Sequence, residues 1–149
     1  MAGGGALPAL VDLHRDASQA QREGKPIILL FSLPGCSFCH VVRQNYLLPL
    51  LKDPADTDRP IIREVDITGA RTVVSFDRAP ANHRSVAKDF NVQVAPTVLF
   101  LDASGRPLTQ PIVGGDIAGL YGGYLDNAFA EAAQKLSAAR RSDKKGDKP

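Results

Sequence analysis

The sequence predicts a mixed α/β sandwich, in which a central sheet is flanked by helices. Two short runs of large apolar residues are typical of buried strands, and the segments around them carry apolar residues at helical spacing. The predicted order is helix, strand, helix, strand, helix, strand, strand, helix. Helical crossovers join parallel strands and a tight turn joins antiparallel ones, so the sheet is predicted to be mixed.

The first predicted helix runs from Leu7 and ends at Gly24. Its apolar positions are Leu7, Leu10, Val11, His14 and Ala17. The strand that follows, Ile27 to Phe31, has no polar alternation, so we expect it to be buried on both faces of the sheet.

A second helix is predicted after the cysteine pair at positions 36 and 39. Its apolar stripe comprises Phe38, Val42, Tyr46 and Leu50. Pro49 should kink or end this helix, because proline lacks an N–H and its ring clashes with the preceding turn. Residues 53–60 are predicted as a polar loop, and residues 61–67 alternate as a half-exposed strand.

The second half of the chain begins with Thr68–Asn82, which is predicted as a long irregular insertion. A short helix is predicted over 83–90, and residues 94–102 form the second apolar strand. The turn at 103–106 then leads into a last strand within 108–115.

The closing helix is predicted to begin with Asp116 as its N-cap. Its apolar face comprises Ile117, Leu120, Tyr121, Tyr124, Leu125, Ala128, Phe129 and Ala132. Residues 138–149 are expected to be a disordered basic tail, and residues 1–6 a flexible N-terminus or a vector-derived remnant. One domain, 7–137, lies between them.

The charge of the chain is concentrated at its end. The last ten residues carry a surplus of three positive charges, whereas the rest of the chain is close to neutral. No aromatic residue interleaves with these charges, so we expect a solvated tail and no nucleic-acid binding. The sequence has no apolar run long enough to span a membrane, and its start lacks the pattern of a secretory signal.

The motif Cys36-Ser37-Phe38-Cys39-His40 is compatible with three kinds of chemistry. The cysteines can cycle between dithiol and disulfide, and the same motif can attach a c-type haem through His40. Haem would need a second axial ligand, for which His14 or His83 would have to serve. Structural zinc usually shows two close ligand pairs, and the sequence offers only one. We therefore favour redox chemistry and expect no metal and no cofactor.

The chain resembles the thioredoxin-fold family over residues 7–137. The resemblance is carried by the apolar strand "IILLFS", the motif "GCSFC" at the start of a helix, "VAPT" entering a later strand, and a Gly-Gly turn before the terminal helix. The closest resemblance is to secreted bacterial thioredoxin-like proteins, including the SoxW-like type found in sulfur-oxidation gene clusters. It implies a thioredoxin fold with an N-terminal helix and an insertion before the cis-proline strand.

The placement of the cysteines gives them different roles. A helix N-terminus carries about half a positive elementary charge, which stabilises a thiolate at Cys36. Cys36 should therefore be the exposed nucleophile, and Cys39, one turn inside, the group that resolves the mixed disulfide. His40 is expected on the helix surface, where it can add positive potential. Phe38 is expected to be a surface or docking side chain.

The resemblance implies a substrate site opposite the cysteines. Pro96 should be cis, and the backbone of Ala95 should offer hydrogen bonds to substrate. Two positions depart from the family pattern: Gly35 replaces the usual tryptophan, and Leu30 replaces the buried acid that helps to deprotonate the inner thiol. Supporting roles are expected for Gly35, Ser37, Phe38 and His40.

The predicted function is thiol–disulfide exchange with protein substrates, on the reducing side. It needs a partner that regenerates the cysteine pair, and we expect a monomer in the periplasm or outside the cell, with the cytoplasm as the alternative. The alternative function is a thioredoxin-fold binding or chaperone module without redox turnover. The sequence identifies neither the substrate protein nor the partner that regenerates the cysteine pair.

Overall fold

The computed structural model describes residues 5–52 and 59–146, with side chains to residue 142. In chain order, the elements are α1 (Leu13–Glu23), β1 (Ile27–Ser32), α2 (Ser37–Val41), a π-helical segment (Val42–Leu47), α3 (Leu48–Lys52), β2 (Ile61–Asp66), β3 (Thr72–Val74), β4 (Pro80–Asn82), α4 (His83–Asp89), β5 (Thr97–Leu101), β6 (Ile112–Val113) and α5 (Tyr121–Gly146).

The central sheet has the strand order β2-β1-β5-β6. Strand β1 is parallel to β2 and antiparallel to β5, and β5 is antiparallel to β6. The predicted mixed sheet with flanking helices is confirmed. The register places Leu30 beside Glu64 on one side and Phe31 beside Thr97 on the other. The end of β1 therefore lies next to the beginning of β5.

The core forms two layers, one on each face of this sheet. Ile28 and Leu30 belong to the layer that includes Val42 and Leu47, whereas Phe31 belongs to the layer that includes residues of α1 and α4. Every residue of β1 is buried, as its continuous apolar run predicts. Burial on both faces fixes β1, and with it the segment that follows.

The prediction of a helix from Leu7 is wrong, because α1 begins six residues later. Asp12 is its N-cap and accepts a hydrogen bond from the N–H of Arg15, and Gly24 ends it with φ 67°. Residues 8–10 are extended and pair with Glu64 on the outer edge of β2. Leu7 and Leu10 are buried in opposite layers of the core. Their spacing of three residues fits a strand as well as a helix.

The segment Thr68–Asn82 is not irregular throughout. Strands β3 and β4 form a separate antiparallel hairpin within it. The side chains of the turn, Ser75 and Asp77, hydrogen bond with each other and with the backbone of Ala79. The helix predicted over 83–90 is confirmed as α4, which has a capping box at Asn82.

The helix that follows the cysteines does not end at Pro49. It continues through the π-helical segment into α3, which ends at Lys52. The N–H of Leu48 donates to the carbonyl of Arg43, five residues earlier, and this wider turn immediately precedes the proline. The extra residue in the turn changes the buried face, so Leu47 and Leu48 are buried and Tyr46 only partly.

The closing helix begins at Tyr121, not next to Asp116. Ala118 and Gly119 have positive φ values, which a right-handed helix does not accommodate. Ile117 and Leu120 consequently lie before the helix and are exposed, contrary to the predicted apolar face, as is Tyr124. The helix continues through 138–146, part of the stretch predicted to be a disordered tail.

Some predictions fall outside the described residues. These are most of the predicted flexible N-terminus (1–4), most of the polar loop (53–58) and the last three residues (147–149). The domain bounds 7–137 stay a prediction. Among the described residues, no helix is both long and apolar enough to cross a membrane.

Candidate functional site

A tight turn leads from the end of β1 to the first cysteine. Gly35 has φ 72°, a conformation that side chains rarely adopt. The N–H of Cys36 donates to the carbonyl of Leu33 and closes the turn. Cys36 is the N-cap of α2, so the buried strand positions the cysteine at the start of the helix.

Cys36 and Cys39 form a disulfide. Cys36 is partly exposed, whereas Cys39 is fully buried. The N–H of Cys39 donates to the Sγ of Cys36 at 3.1 Å, and the N–H of His40 donates to the Cys36 carbonyl at 3.1 Å. The sulfur of Cys36 thus receives an amide dipole of the first helical turn, which favours negative charge there.

Phe38 lies over the glycine turn that precedes α5. Its side chain is 59% exposed, yet its ring lies against Gly115, where an added Cβ would come within 2.7 Å of Cδ1. The neighbouring Gly114 donates its N–H to the carbonyl of Pro96 at 2.8 Å. This turn therefore connects the cysteine motif with the start of β5.

The two residues predicted to bind substrate immediately precede β5. The peptide bond between Ala95 and Pro96 is cis. Pro96 is buried and Ala95 is partly exposed. Thr97, the next residue, pairs with Phe31 near the end of β1. Ala95 and Pro96 therefore lie at the same end of the sheet as the turn that leads to Cys36. A role for Ala95 and Pro96 in substrate binding stays a prediction.

Large exposed apolar side chains occur mostly in segments that contain or adjoin the cysteine motif, the Ala95–Pro96 bond and the glycine turn. In the described part of the chain, all the large exposed apolar residues except Val11 fall in three segments: 33–38, residue 94, and 113–124. We call these residues the apolar rim: Leu33, Phe38, Val94, Val113, Ile117, Leu120 and Tyr124. Patches of this kind mark interaction surfaces more often than scattered single residues do.

A pocket of about 690 Å³ opens beside Cys36, and Phe38 is not among its lining residues. Arg43 and Glu64 form a bidentate ion pair in its wall, with Nε–Oε1 at 2.9 Å and Nη2–Oε2 at 2.6 Å. The hydroxyl of Ser32 also donates to Oε2 of Glu64 at 2.6 Å. This hydrogen bonding to Glu64 raises the pKa of Arg43 above its ordinary value.

Glu64 is a residue of the site that the sequence analysis missed. Leu30, which replaces the acid typical of the family, is fully buried and lies in register with Glu64 on the adjacent strand. Directly paired residues point to the same face of a sheet, so the carboxylate lies on the helix-facing side. The available signal was a glutamate within the predicted strand 61–67, but its partner Arg43 is remote in sequence.

The predicted histidines are in different environments. His40 is exposed next to the cysteines. His83 accepts a hydrogen bond from the N–H of Asp66 through Nδ1 and contacts the Leu10 carbonyl through Nε2, while His14 contacts a backbone carbonyl. His83 and His14 thus form hydrogen bonds with backbone groups, and His83 also lines the pocket beside Cys36. No group of three or more metal-ligating side chains occurs among residues 5–52 and 59–142.

Tyr46 and Tyr121 both hydrogen bond with Asp116, which links the helix after the cysteines to the segment between the glycine turn and α5. The hydroxyl of Tyr46 donates to Asp116 at 2.5 Å, and Asp116 also accepts the N–H of Tyr121 at 3.2 Å. The hydrogen bond to Asp116 raises the pKa of Tyr46. Burial raises the pKa of Tyr121, whose hydroxyl has no hydrogen-bond partner among the described residues.

Comparison with known proteins gives a family match and a shared fold. A sequence profile of the thioredoxin-like domain family matches residues 13–118. Similar solved structures include poplar thioredoxin h (TM-score 0.52, 19% identity, covering 75% of this chain and 84% of that one). A thioredoxin-fold protein from Helicobacter pylori has a TM-score of 0.52 at 18% identity, with 77% and 81% covered.

A structure described as DsbH oxidoreductase has a TM-score of 0.56 at 16% identity, with 84% of this chain and 86% of that chain covered. At such identities the likeness concerns the fold alone. No curated protein sequence matches the chain significantly.

Proposed function

The chain belongs to the thioredoxin-like domain family, and from this premise we propose that it is a thiol–disulfide oxidoreductase acting on protein substrates. The observation that carries the proposal is the Cys36–Cys39 disulfide at a helix start, with one sulfur accessible and the other buried. That asymmetry supports the proposal that Cys36 attacks the substrate and Cys39 resolves the mixed disulfide.

The reaction consists of two exchange steps. The Cys36 thiolate attacks one sulfur of a substrate disulfide, so a mixed disulfide forms and one substrate thiolate leaves and takes up a proton. The Cys39 thiol then loses its proton, and its thiolate attacks Cys36 Sγ. The second substrate thiol is released, and the protein pair becomes a disulfide. The substrate disulfide is reduced and the protein dithiol is oxidised.

The apolar rim supports a protein as the substrate. It consists of large exposed side chains from three segments, which include residues before and within the cysteine motif, the residue before Ala95, and the glycine turn that Phe38 contacts. A polypeptide can bury such side chains around its own cysteine, and binding energy is then available to orient the reacting sulfurs. We propose that the backbone of Ala95 and the side chain of Phe38 take part in this contact.

Trapping of the mixed disulfide tests the proposal. In Cys39→Ala the nucleophile remains and the resolving thiol is lost, so covalent adducts with proteins of the native compartment should accumulate on non-reducing gels. The matched control is Cys36→Ala, Cys39→Ala, in which these adducts should disappear. A Cys39→Ala variant without adducts would refute redox turnover and leave the binding or chaperone module as the function.

We further propose that the pair works on the reducing side, in the periplasm or outside the cell, as the resemblance to SoxW-like proteins implies. The structure described as DsbH oxidoreductase shares the fold, which is compatible with an oxidoreductase of either direction. Equilibration with glutathione buffers tests the direction. A reduction potential below about −230 mV supports a reductase, whereas a potential near −120 mV indicates an oxidant.

A further inference from the structure

The pocket beside Cys36 differs chemically from the apolar rim, and we propose that it binds a small zwitterionic disulfide of the amino-acid type as a second substrate. Such a molecule carries carboxylate and ammonium groups close to its sulfurs. The inference rests on the proposed exchange chemistry of Cys36 and extends it from proteins to low-molecular-weight disulfides.

The size and position of the pocket suit a ligand of this kind. Its volume of about 690 Å³ lies in the range typical of small-molecule sites. Cys36 lines the pocket directly, together with Ser37 and His40 from the first turn of the helix. A disulfide held in this pocket would therefore lie against the accessible sulfur.

The charged side chains that line the pocket differ in how far their hydrogen-bonding groups are already occupied by protein partners. Arg43 and Glu64 neutralise each other through two hydrogen bonds, so they contribute little net charge. The guanidinium of Arg71 has no hydrogen-bond or ionic partner among the residues that the structure describes, and it lines the pocket. Asp66 uses only Oδ1, which accepts hydrogen bonds from the N–H and hydroxyl of Thr68.

One cation and one anion thus remain available on a single segment, residues 66–71. The backbone holds this segment in place: Gly69 donates its N–H to the carbonyl of Asp66 and accepts the N–H of Arg84, and Arg71 accepts the N–H of His83. A guanidinium binds a carboxylate bidentately, and the free oxygen of Asp66 can accept an ammonium proton. Because the backbone of the segment is already held, little backbone entropy is lost on binding.

The chemistry balances without a further reagent. The Cys36 thiolate attacks one sulfur of the small disulfide and expels one small thiolate, which takes up a proton. The Cys39 thiolate then attacks Cys36 Sγ and expels the second. The protein dithiol is oxidised to a disulfide while the small disulfide is reduced to two thiols; in reverse, two small thiols reduce the pair.

The test compares charged and uncharged disulfides on the reduced full-length chain. Second-order rate constants for oxidation of the pair are measured with cystine, glutathione disulfide and uncharged 2-hydroxyethyl disulfide. The ratio of zwitterionic to uncharged rate constants should fall about fivefold in Arg71→Gln, since an exposed ion pair contributes up to about 1 kcal/mol. Arg15→Gln, the same charge change on the exposed face of α1, should leave the ratio unaltered.

The outcomes separate this inference from the proposed function. A preference for cystine that depends on Arg71 supports the assignment, whereas a preference for glutathione disulfide alone, which is net anionic and carries its ammonium groups far from its sulfurs, overturns the amino-acid type of ligand. Equal ratios in wild type, Arg71→Gln and Arg15→Gln overturn the pocket assignment, while reduction of a protein disulfide such as that of insulin would still support the exchange function. If the chain exchanges with neither protein disulfides nor small disulfides, both the pocket assignment and the proposed exchange function are refuted.

Discussion

The ion pair in the pocket wall makes a quantitative prediction about stability. Arg43→Met keeps most of the aliphatic stem and deletes both hydrogen bonds to Glu64. Glu64 then retains one partner, the hydroxyl of Ser32. The side chains of Arg43 and Glu64 are only 19% and 17% exposed, so water replaces the lost guanidinium incompletely.

The magnitude follows from this intermediate burial. Breaking a buried pair costs about 3–5 kcal/mol, and an exposed pair is worth about 0.2–1 kcal/mol. With roughly a fifth of each side chain exposed and Ser32 still bound, we expect Arg43→Met to lower the free energy of unfolding by about 2 kcal/mol. The pair Glu131–Lys135 on α5 is the matched control, because its side chains are 47% and 53% exposed.

Urea unfolding of the oxidised protein measures both effects. Glu131→Gln should cost less than about 0.5 kcal/mol. The double variant Arg43→Met, Glu64→Met should recover most of the loss from Arg43→Met, because no uncompensated carboxylate remains. The reasoning is refuted if Arg43→Met costs no more than Glu131→Gln, or if the second substitution adds a further loss.

Three further outcomes follow from the site. In the reduced protein, limiting iodoacetamide should label Cys36 before Cys39, because Cys39 is fully buried; mass mapping that finds Cys39 labelled first reverses their roles. Phe38→Ser should raise KM for a protein disulfide several-fold, whereas Val11→Ser, outside the apolar rim, should not. Equal effects of the two substitutions would show that Phe38 does not contact the protein substrate. Because the pKa of Tyr121 is raised in the folded protein, the folded state keeps a proton that the unfolded chain loses above pH 10, and the free energy of unfolding should fall as pH rises past 10. Tyr121→Phe should lessen that fall. If the alkaline unfolding curve of Tyr121→Phe is the same as that of the wild type, Tyr121 does not cause the fall.

Prediction from the sequence succeeds where a residue pattern is compatible with only one kind of structure. The run from Ile27 to Phe31 can be buried on both faces only as a central strand, and it is one. Residue pairs three apart are ambiguous: Leu7 and Leu10 suit a helix stripe, but they occupy opposite layers of the core because they lie in an extended segment on the edge of β2. Pairing with a strand more than 50 residues away decides between the two.

Local backbone geometry and long-range charge contacts account for the other differences. The positive φ of Ala118 delays α5, and alanine gives no warning of it in the sequence. The ion pair of Arg43 and Glu64 depends on the parallel register of β1 and β2 and on the π-helical turn after Arg43. Neither feature has a local sequence signal, so the sequence reveals the missing acid at Leu30 but not the charged pair beside it.

The site presents two chemically distinct surfaces to one sulfur. Phe38 turns toward Gly115 and the apolar rim, whereas Cys36, Ser37 and His40 line the charged pocket. Residues two apart on a helix face different directions, which is why one short motif serves both surfaces. Substitutions on the two surfaces should therefore act independently: Phe38→Ser should weaken exchange with protein disulfides, and Arg71→Gln exchange with zwitterionic small ones. In the variant that carries both changes, the loss with each substrate class should match that of the corresponding single variant within about twofold, since the two residues share no contact and distant effects are independent.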